Sequence, residues 1–140
     1  DFMITHFFNP PRYMRLLEIV GGPKTRKEAV AAMERFADVR LGKGVIHAKD
    51  TPGFVANRIG TMWIQAALNA AMDHGLTVEE ADAVAGRPMG FPKTGIFGLL
   101  DLVGIDLMPH VGKSMRDNLP KTDPLATEFR EASAKFIEKM

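Results

Sequence analysis

The stretch KDTPGFVANRIGTMWIQAALNAAMDHG, from Lys49 to Gly75, predicts a long helix around which the rest of the chain packs. Its start carries Asp50 and Thr51, which are residue types that cap helix N-termini, and Gly75 is typical of a helix end. Apolar residues fill most of the positions in between. Because a helix that is apolar nearly all round has no face suited to water, we expect this one to be buried.

Asn57 and Arg58 interrupt the apolar pattern near the start of this predicted helix. Asn57 is a candidate for chemistry, because a side-chain amide placed there can donate a hydrogen bond to a bound molecule. The alternative is an amide that is satisfied by neighbouring backbone and has only a structural role. Position alone favours that alternative.

The composition describes a globular chain with one ordinary core. It has 140 residues, of which 46% are hydrophobic, and no window approaches the roughly 20 apolar residues of a membrane span. Its 18 basic and 17 acidic residues contain no run of five like charges, so the sequence predicts no nucleic-acid surface. We therefore expect neither a nucleic-acid partner nor a membrane span.

Cysteine is absent from the sequence. This excludes disulfides, thiolate metal sites and a cysteine nucleophile within the chain, fits a reducing compartment, and leads us to predict no metal site. The chain opens on Asp1 without an initiator methionine or an apolar leader, so we expect it to be a piece of a longer protein.

Two short apolar runs near the start predict neighbouring strands, Phe2 to Phe8 and Leu16 to Val20. His6 and Glu18 are equidistant in sequence from Arg12, so the two side chains reach the same level if the strands run back along each other. Glu18 is the single carboxylate in an apolar run and needs a partner there.

A histidine on a strand facing a half-buried glutamate is an acid–base pair, because the carboxylate fixes the ring tautomer and stabilises the imidazolium. The alternative is a core histidine in a structural salt bridge, and both interpretations are open from the residues alone. His47, in a third predicted strand, has no carboxylate placed to match it.

Several helices follow from local signals. Thr25 to Glu28 and Thr77 to Glu80 have the spacing of capping boxes. Residues 86–98, rich in glycine and proline, predict a loop, and residues 99–103 and 105–118 predict two helical pieces interrupted at Gly104. The first of these capping boxes opens a helix whose apolar stripe comprises Val30, Met33, Phe36, Ala37 and Leu41.

A terminal amphipathic helix is predicted to begin at Asp123, and its apolar positions recur at helical spacing. Together with the segment before it, it offers more apolar side chains than a domain of this size hides. We therefore expect a homodimer formed by helices within residues 60–140. The side chains concerned are Ile105, Leu107, Met108, Val111, Met115, Leu125, Phe129, Phe136 and Met140.

Three motifs in this order resemble the 3-hydroxyacyl-CoA dehydrogenase family of fatty-acid β-oxidation: HFFNPP (residues 6–11), LLEIV (16–20) and DTPGFVANR (50–58). The likeness continues through PMG (88–90) and LLDLVGID (99–106). It implies a mainly α fold, namely a helical C-terminal dehydrogenase domain preceded by a few strands left from a Rossmann-type sheet. Residues 1–50 correspond to the end of the dinucleotide-binding domain and residues 51–140 to the helical substrate-binding and dimerisation domain.

The resemblance also implies roles for four residues. His6 matches the catalytic histidine, Glu18 the carboxylate paired with it, and Asn57 the asparagine that contacts the substrate near the reacting oxygen. Asn9 matches the asparagine on the nicotinamide side of the cleft. The implied reaction converts (S)-3-hydroxyacyl-CoA and NAD to 3-ketoacyl-CoA and NADH, in the cytoplasm.

Between PMG and LLDLVGID the chain carries FPKTGIFG, a longer insert than is usual in compact members of the family. In this it resembles the large bacterial multifunctional members. The family's upstream G-x-G-x-x-G is missing, so we expect the polypeptide by itself to be inactive. Two alternatives remain: a related hydroxyacid or sugar-acid dehydrogenase, and a non-catalytic dimerisation module that retains the site as a relic.

Overall fold

The computed structural model describes residues 2–127 of the chain. It is 53% helical with one small three-stranded sheet, which confirms the mainly α class. The chain divides into two compact units, residues 1–57 and 58–140.

The sheet of the first unit has the order β1-β2-β3. Strand β1 (Met3–Phe7) pairs antiparallel with β2 (Leu16–Gly21), and β2 pairs parallel with β3 (Gly44–His47). Helix α1 (Lys27–Leu41) makes the crossover that two parallel neighbours require. The central strand β2 is buried, and its Leu17 and Ile19 form a core with Ala37 of α1.

Helix α1 differs from expectation at its start and on its apolar face. Thr25 forms no capping box: its hydroxyl donates to the Phe2 carbonyl at 2.5 Å and accepts from the Gly22 amide at 2.9 Å. The N-cap residue is Arg26, without a side-chain cap bond. Phe36 is 49% exposed, so the buried face of the helix is narrower than the predicted stripe.

Helix α2 (Ala56–Asp73) begins later than the sequence predicts. Residues 51–55 form turns, in which Phe54 has a φ of 46°, so Asp50 and Thr51 do not cap the helix. The expectation of burial all round is also wrong, because Ile59 is 66% exposed. The buried face of α2 is a single stripe of Thr61, Gln65, Leu68 and Ala71.

Up to residue 127, the second unit contains four further helices and a 3-10 turn. The elements are α3 (Val78–Val84), the turn Arg87–Met89, α4 (Phe97–Val103), α5 (Leu107–Asn118) and α6 (Pro124–Thr127). The core of this unit combines one face of α2 with residues of α3 and α4, namely Leu68, Ala71, Ala81, Ala85, Ile96, Phe97 and Leu100.

The predicted capping box of α3 is confirmed. The Glu80 amide donates to the Thr77 hydroxyl at 3.2 Å, and the Thr77 amide donates to the Glu80 carboxylate at 2.9 Å. Asp82, one turn further along α3, accepts hydrogen bonds from the first amides of α4, those of Ile96 at 2.7 Å and Phe97 at 2.8 Å. A carboxylate on one helix therefore caps the next.

Helices α5 and α6 pack together through buried Met115, Leu119 and Leu125. Asp123 caps α6 as predicted, since its carboxylate accepts from the Leu125 amide at 3.1 Å, and it also forms an ion pair with Arg58. The rest of the predicted terminal helix, with Phe129, Phe136 and Met140, lies outside the described residues. Within residues 2–127, no helix has the length and apolar character needed to cross a bilayer.

Candidate active site

His6 and Glu18 are direct cross-strand partners of β1 and β2, which confirms the predicted register. His6 Nδ1 lies 2.6 Å from Glu18 Oε2. The Glu18 side chain has no solvent exposure, whereas the His6 side chain is 29% exposed. The pair is thus a buried carboxylate holding an imidazole that still reaches the surface.

The second carboxylate oxygen of Glu18 is bound at the start of α2. Glu18 Oε1 accepts hydrogen bonds from the amides of Val55 and Ala56, both at 2.9 Å. These amides have no partner of their own in a helix, and the N-terminal end of a helix favours negative charge. Glu18 therefore caps the start of α2 in place of Asp50 and Thr51, the caps predicted from the sequence.

These contacts determine the charge state of Glu18. Burial alone raises the pKa of Glu18, but the hydrogen bond from His6, the amide bonds from Ala56 and Val55, and the charge of His6 outweigh burial. The net result is a pKa below the ordinary value of 4.5. Glu18 is therefore ionised at neutral pH and can stabilise a positive charge on the imidazole.

The hydrogen bond also defines the roles of the two ring nitrogens. An ionised carboxylate only accepts, so His6 Nδ1 carries the hydrogen and donates it to Glu18. In the neutral ring Nε2 is then the acceptor. Among residues 2–127, Nε2 has no hydrogen-bond partner, so it is free to take a proton from a bound molecule.

Two aromatic rings flank the imidazole. The Phe8 ring lies edge-on at 4.7 Å between centroids, and the Phe54 ring lies edge-on at 5.6 Å. Phe54 holds a left-handed φ of 46°, which is costly for a bulky residue and is often found at functional sites. Neither ring is among the site residues predicted from the sequence, although Phe8 stands two positions from His6 and Phe54 follows a glycine in DTPGF.

The two asparagines are both exposed. Asn57 follows Ala56 in the first turn of α2, and Asn9 lies in the loop after β1. Within the described part of the chain, neither side-chain amide has a hydrogen-bond partner. Both amides are open to a ligand, and their roles stay predictions.

A second histidine pair offers a contrast. His47 Nε2 lies 3.1 Å from Glu34 Oε2, so the expectation that His47 lacks a matching carboxylate is wrong. Both side chains are about half exposed, at 54% and 47%. A pair in water carries little interaction energy, and this one has no second anchor for its carboxylate among the described residues. It is a useful control for His6 and Glu18.

Two family profiles match consecutive parts of the chain. The profile of the 3-hydroxyacyl-CoA dehydrogenase NAD binding domain matches residues 1–51. That of the 3-hydroxyacyl-CoA dehydrogenase C-terminal domain matches residues 53–138.

Curated relatives agree with these profiles. A protein of Rickettsia prowazekii (strain Madrid E), assigned by name to the fatty acid oxidation complex trifunctional enzymes, is 42% identical over 99% of this chain and 19% of its own length. A "Probable 3-hydroxyacyl-CoA dehydrogenase" of Bacillus subtilis (strain 168) is 43% identical over 83% of this chain and 15% of its own length. The chain thus spans less than a fifth of these two relatives.

Solved structures give the same result. The (S)-3-hydroxybutyryl-CoA dehydrogenase PaaH1 from Ralstonia eutropha is 32% identical with a TM-score of 0.77, over 93% of this chain and 44% of its own. FadB2 of M. tuberculosis is 28% identical with a TM-score of 0.79, over 97% of this chain and 45% of its own.

Proposed function

The chain belongs to the 3-hydroxyacyl-CoA dehydrogenase family, and from this membership we propose that its full-length protein oxidises (S)-3-hydroxyacyl-CoA to 3-ketoacyl-CoA with NAD. The observation that carries the proposal is the His6 and Glu18 pair, with one ring nitrogen held by a buried carboxylate and the other open. In the proposal, residues 1–50 end the dinucleotide-binding domain and residues 51–140 form the helical substrate domain. The proposal also holds that this chain alone is inactive, because it contains no G-x-G-x-x-G for binding a dinucleotide.

His6 is the general base of the proposed reaction. Its Nε2 takes the proton of the 3-hydroxyl group while the C3–H bond breaks and the C3–O bond becomes a carbonyl. When bound, NAD supplies the acceptor for the hydride that leaves C3. Glu18 stabilises the imidazolium that results, and its hydrogen bonds to Val55 and Ala56 keep the carboxylate from turning away.

Two exposed side-chain amides in the first unit fit contacts to a nicotinamide and to a thioester. Asn9 follows β1 three positions after His6 and has an exposed amide, as a nicotinamide contact requires. Asn57 stands at the start of α2, where a donor can polarise the substrate oxygen or hold the thioester. We assign Asn9 to cofactor binding and Asn57, through its contact with the substrate, to the catalytic residues with His6 and Glu18.

The proposal includes a homodimer through the helical domain. Met115 and Leu125, which sequence reasoning assigned to an exposed surface, are buried within the unit and do not serve this purpose. What supports the dimer is an exposed apolar patch at the junction of α4 and α5, the α4–α5 patch, formed by Leu102, Val103, Ile105 and Leu107. The proposal also puts the protein in the cytoplasm, a reducing compartment in which a chain without cysteine is ordinary.

An assay of the full-length protein tests the activity. We expect NADH formation with (S)-3-hydroxybutyryl-CoA and far less with free (S)-3-hydroxybutyrate, which a hydroxyacid dehydrogenase would prefer. His6→Gln lowers kcat by ~10²–10⁴, the usual contribution of a positioned base, with little change in the KM for NAD.

His47→Gln is the matched control, because it removes an imidazole from an exposed pair in the same unit. It keeps normal turnover. A His6→Gln protein with near-normal kcat would remove His6 from the mechanism, and a wild-type protein without turnover would favour the non-catalytic module.

A further inference from the structure

Lys43 is a buried lysine in the first unit. It is 8% exposed, although lysine is rarely buried unless it is paired. Its ammonium donates hydrogen bonds to the carbonyl oxygens of Pro11 and of Met14, the latter at 2.7 Å. It also lies 5.8 Å from the centroid of the Phe7 ring, within range of a cation–π interaction.

Residues 8–15 connect β1 to β2, and we call them the β1–β2 loop. The three contacts of the ammonium described above are with this loop, at Pro11 and Met14, and with Phe7, the last residue of β1. The loop folds on itself, since the amides of Tyr13 and Met14 both donate to the Pro10 carbonyl, at 3.0 and 3.1 Å. Its end is tied to the backbone beside Lys43, because the Gly44 amide donates to the Arg15 carbonyl at 2.8 Å.

The β1–β2 loop joins the two halves of the candidate site. It leaves the strand that carries His6 and enters the strand that carries Glu18, and it contains Phe8 and Asn9. Phe8 packs against the His6 ring, and Asn9 is the proposed cofactor contact. An interaction that fixes the loop carbonyls of Pro11 and Met14 therefore also fixes the positions of Phe8 and Asn9.

We propose that Lys43 is a positioning residue for the dehydrogenase reaction, acting through the β1–β2 loop. This inference rests on the proposed function. Burying an ammonium costs free energy, and the carbonyls and the ring that face it offset that cost only while the loop keeps this conformation. The charge thus selects one loop conformation and, with it, one placement of Asn9 and Phe8.

Kinetics of the full-length protein test the inference. Lys43→Met keeps the length of the side chain and removes its charge and donors. We expect it to raise the KM for NAD about tenfold and to lower kcat severalfold, because misplacing groups by a fraction of an ångström is costly in a reaction that depends on geometry. The KM for the acyl-CoA stays within about twofold of wild type.

Two further variants act as controls. Lys43→Arg keeps a charged donor able to reach two carbonyls and is expected to restore most of the affinity for NAD. Lys27→Met removes an exposed lysine at the start of α1 and leaves all constants unchanged. A Lys43→Met protein that melts earlier but keeps a normal KM for NAD would show a merely structural lysine and overturn the inference.

Hydrogen exchange gives a readout independent of turnover. In Lys43→Met the amides of Tyr13 and Met14 are expected to exchange faster, while those of α3 are unchanged. Should Lys43→Met fail to fold, Lys43→Gln, which retains one donor group, takes its place. Unchanged exchange in the loop overturns the Lys43 inference whatever the activity of wild type, whereas a wild-type protein without turnover overturns the proposed function.

Discussion

The two oxygens of the Glu18 carboxylate have different partners. Oε2 accepts from His6, and Oε1 accepts from the amides of Val55 and Ala56. The first contact belongs to the proposed chemistry and the second to the start of a helix. One side chain therefore contributes to turnover and to stability, and two substitutions separate these contributions.

Glu18→Gln is expected to lower turnover, and to lower the free energy of unfolding by less than removal of the whole carboxyl group does. The amide oxygen still accepts from the helix amides, but the charge that stabilises the imidazolium is gone. A hydrogen bond to a charged group contributes ~1.5–3 kcal/mol, which corresponds to a fall in kcat of roughly tenfold to hundredfold.

Glu18→Ala is the companion variant, because it leaves the Val55 and Ala56 amides without an acceptor. We expect it to lower kcat at least as far and also to lower the free energy of unfolding by ~1–3 kcal/mol. Steady-state kinetics and thermal melting of both variants measure the difference. Equal melting temperatures for the two would mean that Oε1 contributes nothing to the helix start.

At the scale of the secondary-structure elements, the helix starts differ in what caps them. Thr77 caps α3 through its own hydroxyl, whereas Thr51 precedes α2 and caps nothing. We expect Thr77→Ala to lower the free energy of unfolding by about 1 kcal/mol. Thr51→Ala, at an exposed position, is expected to change it by less than about 0.5 kcal/mol. Chemical denaturation of the two variants compares them, and a larger loss in Thr51→Ala would contradict the structure at the start of α2.

These two threonines also show what the sequence could predict. The capping box at Thr77 was predictable, because both of its hydrogen bonds span only three residues. The level pairing of His6 with Glu18 was predictable too, since residues that stand equally far from the middle of the connection face each other when two strands run back along each other. Signals of this kind are local, and they act before the chain has folded.

The start of α2 was not predictable, because its acceptor lies far away in sequence. Glu18 is 37 residues from Val55. The residues near Thr51 contain no signal that the first amides of α2 donate to a carboxylate so far away in the sequence. The capping box at Thr25 failed for the same reason, since its hydroxyl is bound to the carbonyl of Phe2, 23 residues away. Contacts between distant residues displaced the local signal in both places.

At the scale of the whole molecule, acid is expected to destabilise each unit through one carboxylate. The hydrogen bond from Arg58 lowers the pKa of Asp123 below 3.8 despite partial burial, and the contacts of Glu18 lower its pKa below 4.5. A carboxyl with a lowered pKa binds fewer protons when folded than when unfolded, so stability rises with pH.

Each carboxyl group therefore makes its full contribution to the free energy of unfolding at pH values above its ordinary pKa. That contribution is lost as the pH falls through the lower pKa of the folded state. Hydrogen exchange measured from neutral to strongly acidic pH should show residues 55–57 and 124–127 opening below pH ~4. Asp123→Asn is expected to flatten this dependence at residues 124–127 only. A flat pH dependence in the unsubstituted protein would contradict the lowered values.

The proposed dimer is tested at the α4–α5 patch. Leu102 is 77% exposed in this chain, and a second copy covering it would bury a charged substitute unfavourably. We expect light scattering to report a dimer for the full-length protein and a shift toward monomer for Leu102→Asp. Val39→Asp, at a 67% exposed position of α1, is the control and leaves the mass unchanged. A monomeric wild-type protein at micromolar concentration would refute the dimer.

The double attachment of Glu18 has a consequence for gene duplicates of this fold. A copy that no longer needs a base can replace His6 by another side chain that donates a hydrogen bond to Glu18 Oε2, which is the only hydrogen bond of the ring among residues 2–127. The same copy still needs an acceptor for the amides of Val55 and Ala56, so it keeps Glu18 in order to fold. The presence of the glutamate therefore indicates only that the fold is kept. The histidine is the residue that distinguishes an active duplicate from an inactive one.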